Sequence, residues 1–80
     1  MDSAKASRAE LVGRAVSLLG SEAKLAAAAG VAQATINEAK HTGTVGPKLA
    51  MGLDRATGGR ISRSALRPDL WPPAEGEGSL

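Results

Sequence analysis

The chain has 80 residues and a formal net charge of +2, with no Cys, no Phe, no Tyr and a single Trp. Disulfides, thiolate zinc sites and cysteine nucleophiles are therefore excluded, and so short a chain holds one domain with a thin core, because small domains bury proportionally little of their surface. Up to Arg67 all 10 Lys and Arg oppose only Asp2, Glu10, Glu22, Glu38 and Asp54, a surplus of five, and the acids Asp69, Glu75 and Glu77 follow; a basic body with an acidic tail suits a polyanionic partner.

The first predicted element opens in "SRAELVGRAVSLLG", where Ser7 and Glu10 have capping-box spacing. A start at Ser3 is equally open, since Ala4 to Ala6 holds no breaker. Leu11, Ala15 and Leu18 run beside Val12, Val16 and Leu19 as a broad apolar stripe of helical period, and Gly20 closes it. "SEAKLAAAAG" follows almost without a linker. Ser21 reads as its N-cap, Glu22 suits the positive end of the helix dipole, and Leu25, Ala26 and Ala29 face inward until Gly30 permits a left-handed turn.

After the Gly30–Val31 corner a second short helical pattern runs from Gln33 to about His41, with Ile36 and Ala39 as its inward residues. "HTGTVGP" breaks it, and Pro47 starts another helix whose inward face is Leu49, Leu53 and Ala56. Gly58 and Gly59 stop that helix. Beyond them Ile61, Leu66, Leu70 and Trp71 are predicted anchors around a short turn capped by Ser62, and "PPAEGEGSL" has the composition of a disordered tail. The expected organisation is an all-α domain of four to five helices over residues 1–71 and a flexible acidic tail over 72–80. Nothing reads as a strand pair or an internal repeat.

Two short helices joined by a glycine-bearing turn of three or four residues are the sequence form of a helix-turn-helix. Ala26 suits a close helix crossing, Gly30 the turn, Val31 a plug after the turn and Ile36 an inward anchor. The outward residues then have the chemistry of major-groove readout: Gln33 and Asn37 can each make two bonds to an adenine edge, Thr35 or Ala34 can meet a thymine methyl, and Glu38 can either accept from cytosine N4 or repel phosphate in a wrong register. Lys40 also falls outward.

"SEAKLAAAAGVAQATINEAKHTG" resembles the helix-turn-helix of phage Cro and CI type (XRE-like) repressors, and "LDRATGGRISRSALRPDLWP" resembles the C-terminal continuation of their small YdaS-like branch. The resemblance implies a lambda-repressor-like helical fold and a usually dimeric repressor of prophage-type control regions. It places Gln33, Ala34, Thr35, Asn37 and Glu38 at recognition-helix positions, Ser21 at a phosphate-contacting helix start, and His41, Thr42 and Thr44 in or beside a backbone-contacting loop. Two residues depart from the pattern. Ala32 stands where Ser or Thr often caps the recognition helix, and Ala39 replaces a larger inward residue.

Other chemistry finds no constellation. His41 has no second ligand at metal spacing, the serines lack a histidine-centred triad, and "GTVG" lacks both the preceding strand and the Gly-Lys-Ser/Thr ending of a phosphate loop. No metal, no cofactor and no enzyme activity are expected. Arg14, Lys24, Lys48 and Arg55 read as scattered surface charges of which one or two meet phosphate, and Arg67 either pairs with Asp69 or reaches DNA.

Trp71 either packs on the domain or joins a dimer contact, for which exposed apolar residues on the first helix and the segment from Ile61 to Trp71 are the candidates; the second is preferred because it brings extra large residues after the motif helices are complete. The N-terminus lacks the unbroken apolar region of a signal peptide, and no run approaches the roughly 20 apolar residues that span a bilayer, so the expected location is the cytoplasm without a membrane partner. The predicted function is a homodimeric transcriptional regulator, most simply a repressor, on a double-stranded operator. The alternative is an antitoxin or adaptor that neutralises a protein partner and represses its own promoter.

Overall fold

The computed structural model of the chain describes residues 3–71. Five helices follow one another: α1 (Ser3–Leu19), α2 (Glu22–Ala29), α3 (Gln33–Thr42), α4 (Pro47–Ala56) and α5 (Arg63–Leu66), with no strand among the described residues. The fold is all-α. The expected tail, 72–80, lies outside the described residues.

Local signals set most boundaries. Ser21 is extended and its Oγ accepts from the Lys24 N–H at 3.1 Å, which satisfies one of the orphan donors at the start of α2. At the other end Gly30 is left-handed, with φ 75°, and the N–H groups of Gly30 and Val31 reach back to the carbonyls of Ala27 and Ala26. This paired closure is a Schellman motif, and it turns the chain directly into α3. Ser62 caps α5 through the Ala65 N–H, and Pro47 opens α4 where its missing donor is no loss. Helix α1 takes the earlier start at Ser3, so Ser7 lies inside it and the Ser7–Glu10 pair is no capping box.

The core gathers residues from all five helices and two loops. Val12 and Ala15 of α1, Leu25, Ala26 and Ala29 of α2, Ile36 and Ala39 of α3, Leu49, Ala50 and Leu53 of α4, and Leu66 of α5 are buried, with Val45 and Ile61 from the connections. Leu11, Val16, Leu19, Val31, Ala56 and Trp71 pack against them, partly buried. Small side chains allow close approach, and α2 lies against α4 where Ala29 meets Gly52.

Two sequence expectations need correction. Leu18 and Leu70 were expected to face inward, yet they are 45% and 43% exposed. In α1 the inward arc is narrow, centred on Val12 and Ala15, and Leu18 falls past its edge. Leu70 follows the Arg67–Asp69 turn, which carries Trp71 rather than Leu70 back to the domain. The C-terminal segment is also not a surplus added to a finished domain, because Ile61 and Leu66 are core residues. Its role in the fold replaces the reason for preferring it as a dimer surface.

Candidate nucleic-acid interface

Ile36 and Ala39 are essentially fully buried and fix the azimuth of α3. Gln33, Ala34, Thr35, Asn37, Glu38, His41 and Thr42 of that helix are exposed, as is Thr44 just beyond it. The α3–α4 connection is braced from both ends of the chain. Arg8 in α1 donates Nε to the Gly43 carbonyl at 2.9 Å, and Arg67 donates to the Val45 carbonyl at 2.8 Å. Within the connection, Thr42 Oγ1 donates to the Glu38 carbonyl and accepts from the Thr44 N–H.

The outward residues of α3 divide between two edges. Thr35, Glu38 and Thr44 border an open groove of ≈ 540 Å³ that continues across Ala32 to Pro47 and Lys48 at the start of α4. Neither Ala32 nor Gly46 caps its helix with a side chain. Asn37 and Lys40 lie on the other edge, beside the start of α2. There Lys40 Nζ sits 2.8 Å from Glu22 Oε2, and Asn37 Nδ2 donates to Glu22 Oε1 at 3.5 Å. The Lys40 hydrogen bond, foremost, holds the Glu22 carboxyl below its ordinary value against the opposing effect of desolvation.

Of the residues singled out from the sequence for DNA contact, those of α3 other than Lys40 are exposed, as is Thr44, and Lys40 and Ser21 are partly buried. Lys40 is engaged with Glu22 rather than simply outward, and the Ser21 hydroxyl serves as a cap. Arg67 takes the first of its two alternatives: Nε and a terminal nitrogen grip both carboxylate oxygens of Asp69, at 3.0 and 2.7 Å. That hydrogen-bonded pair brings the Asp69 carboxyl down to about 2 and raises the Arg67 guanidinium. Trp71 is partly buried, with the Arg63 guanidinium 5.5 Å above its ring.

Sequence reading missed Glu22 as a tie between α2 and α3, Arg8 as a brace, and Asp54, which accepts from the N–H of Arg63 at the start of α5. These contacts join residues 9 to 35 positions apart. No helical spacing announces them.

The class of protein is now defined: a small all-helical domain in which a tight glycine corner holds one short helix with its polar face outward. Residues 12–74 match the family model described as bacterial toxin YdaS, and the chain belongs to that family. Comparison with curated proteins and with solved structures finds no significant match. Among the described residues no cluster of His, Cys, Asp or Glu could hold a metal ion, and no helix is long and apolar enough to cross a membrane.

Proposed function

We propose that this chain is a sequence-specific DNA-binding transcriptional regulator of the cytoplasm. It works without a cofactor or enzymatic step, binding its operator as a homodimer with α3 in the major groove. The observation that carries this reading is the exposure of Gln33, Ala34, Thr35, Asn37 and Glu38 on a helix anchored by buried Ile36 and Ala39. The resemblance to Cro and CI type repressors supports the same use of the face.

The division of labour follows from chemistry. Gln33 and Asn37 carry paired donors and acceptors for base edges, whereas Thr44, Lys48 and the uncapped starts of α3 and α4 offer N–H groups and charge to phosphates. Phosphate contacts supply affinity and register; base contacts supply sequence preference. His41 and Thr42 sit at the far end of α3, where the backbone leaves the groove.

A second reading draws on the family's description as a bacterial toxin. Growth arrest could follow from DNA binding at a host site or from capture of a protein partner, and an antitoxin or adaptor role would use the latter surface. Titration of the wild-type chain and a Gln33→Ala/Asn37→Ala variant against duplex from its own upstream region and an unrelated duplex, at two salt concentrations, tests the first reading. Preference for the upstream duplex, lost in the variant while weak salt-sensitive binding stays, is the expected result. Equal weak binding by both proteins to both duplexes overturns it. Growth arrest that survives the double substitution points to the protein partner.

A further inference from the structure

We propose that Glu22 is a selectivity latch on the face just described: it holds Lys40 and Asn37 in an internal contact that nonspecific DNA leaves closed and an operator opens. The inference rests on the DNA-binding reading and assigns a role to a residue that reading does not use.

Three features lead to it. Glu22 lies in the first turn of α2, where the helix dipole favours a carboxylate, and it is the acidic residue of that turn. Its two oxygens are divided between two α3 residues one helical turn apart, Lys40 and Asn37. The tie also lies on the polar face, since the Lys40 side chain is 38% exposed and Asn37 is exposed. A brace needed only for packing α2 on α3 would not require this placement, because Leu25, Ala26, Ile36 and Ala39 already fill that contact.

What the latch withholds is specific. Lys40 and His41 are the basic residues of α3. With its ammonium against Glu22, Lys40 adds little to the attraction for phosphate. Asn37 reads adenine by accepting from N6 while donating one amide hydrogen to N7, and turning the amide plane onto that base edge gives up the long 3.5 Å contact with Glu22.

An operator with adenine in register replaces the lost acceptor with N7 and gives Lys40 a phosphate at the same time. An unrelated duplex replaces one partner and leaves the other contact broken. The tie itself is weak enough to open, since Lys40 keeps 38% and Glu22 19% of its side-chain surface exposed and an ion pair at the surface shifts an equilibrium by about fivefold or less.

The test is a double-mutant cycle: wild type, Glu22→Gln, Lys40→Ala and the combined variant, each titrated over a range of salt with the upstream duplex and an unrelated one of equal length. Thermal unfolding of each variant confirms that all four are folded. On the unrelated duplex Lys40→Ala is expected to change little while Glu22 is present.

Glu22→Gln is expected to steepen the slope of log affinity against log salt by about 1, equivalent to roughly fourfold more loss for a fourfold rise in salt. That gain, and the accompanying fall in operator preference, should vanish when Lys40→Ala is added. Equal effects of Lys40→Ala in both Glu22 backgrounds would mean that Glu22 acts through net charge alone, and the latch is overturned. An unchanged slope in Glu22→Gln also overturns it, while a wild-type preference for the upstream duplex leaves the DNA-binding reading standing. Absence of that preference in the wild type fails the reading itself.

Discussion

The Ala29 carbonyl oxygen lies 2.7 Å from where a Cβ on Gly52 would stand, and the Ala29 Cβ lies at 3.1 Å. Helices α2 and α4 thus meet backbone against side-chain-free backbone. Gly52→Ala should destabilise the domain, because a main-chain carbonyl cannot rotate away as a flexible side chain can. Overpacking of about 1–3 kcal/mol exceeds the gain of roughly 1 kcal/mol in helix propensity. Gly13 in α1 has nothing within 4 Å of its would-be Cβ, so Gly13→Ala should stabilise by about 0.5–1 kcal/mol. Thermal melts of the two variants should shift in opposite directions, and a shared direction would refute the α2–α4 contact.

Ala32 precedes α3 in an extended conformation and makes no side-chain cap bond. Ala32→Ser places an acceptor over the first N–H groups of α3 and should stabilise by about 0.5–2 kcal/mol. Amide exchange in the first turn of α3 should slow with it. Unchanged exchange and an unchanged melting temperature would count against the helix start described here.

Thr57 ends α4 with its hydroxyl buried between two partners, donating to the Leu53 carbonyl at 2.8 Å and accepting from the Ile61 N–H at 3.0 Å. Thr57→Val keeps the shape and strands that N–H, an expected loss of about 1–3 kcal/mol. Thr57→Ser retains both bonds and loses one methyl, an expected loss near 0.8 kcal/mol. Denaturant unfolding should rank wild type above Ser above Val; Val equal to Ser would remove the hydrogen-bonding role.

Asp69 is held at about 2, from an ordinary value of 3.8, by its hydrogen bonds from Arg67. A depressed carboxyl binds its proton less readily folded than unfolded. Its contribution is therefore complete above the unfolded value and is lost as pH falls from about 4 to about 2. Melting temperatures of wild type and Asp69→Asn, measured across that range, should differ by a constant amount at neutral pH and converge toward pH 2. Curves that stay parallel to the acid end would show that the Arg67–Asp69 pair contributes nothing.

Helix positions were legible in the sequence because their determinants are local. Ser21, Gly30, Pro47 and Ser62 act within a few residues, through a cap bond, a left-handed turn or a fixed φ, and they mark the observed boundaries. The 3.6-residue period likewise identified Leu25, Ala29, Ile36, Ala39, Leu49 and Leu53 as inward, and with them the outward face of α3. Periodicity reports which arc of a helix is apolar, but not how much of that arc a neighbour covers.

That coverage depends on how the helices cross, and so Leu18 and Leu70 turned out exposed while the predicted anchors Ile61 and Leu66 are core. The same holds for the polar ties. Glu22 reaches Lys40, Arg8 reaches Gly43 and Arg67 reaches Val45 because packing brings distant turns together. A short-range code read along the chain finds helices and their faces; contacts that close across long loops exist only once those faces have docked.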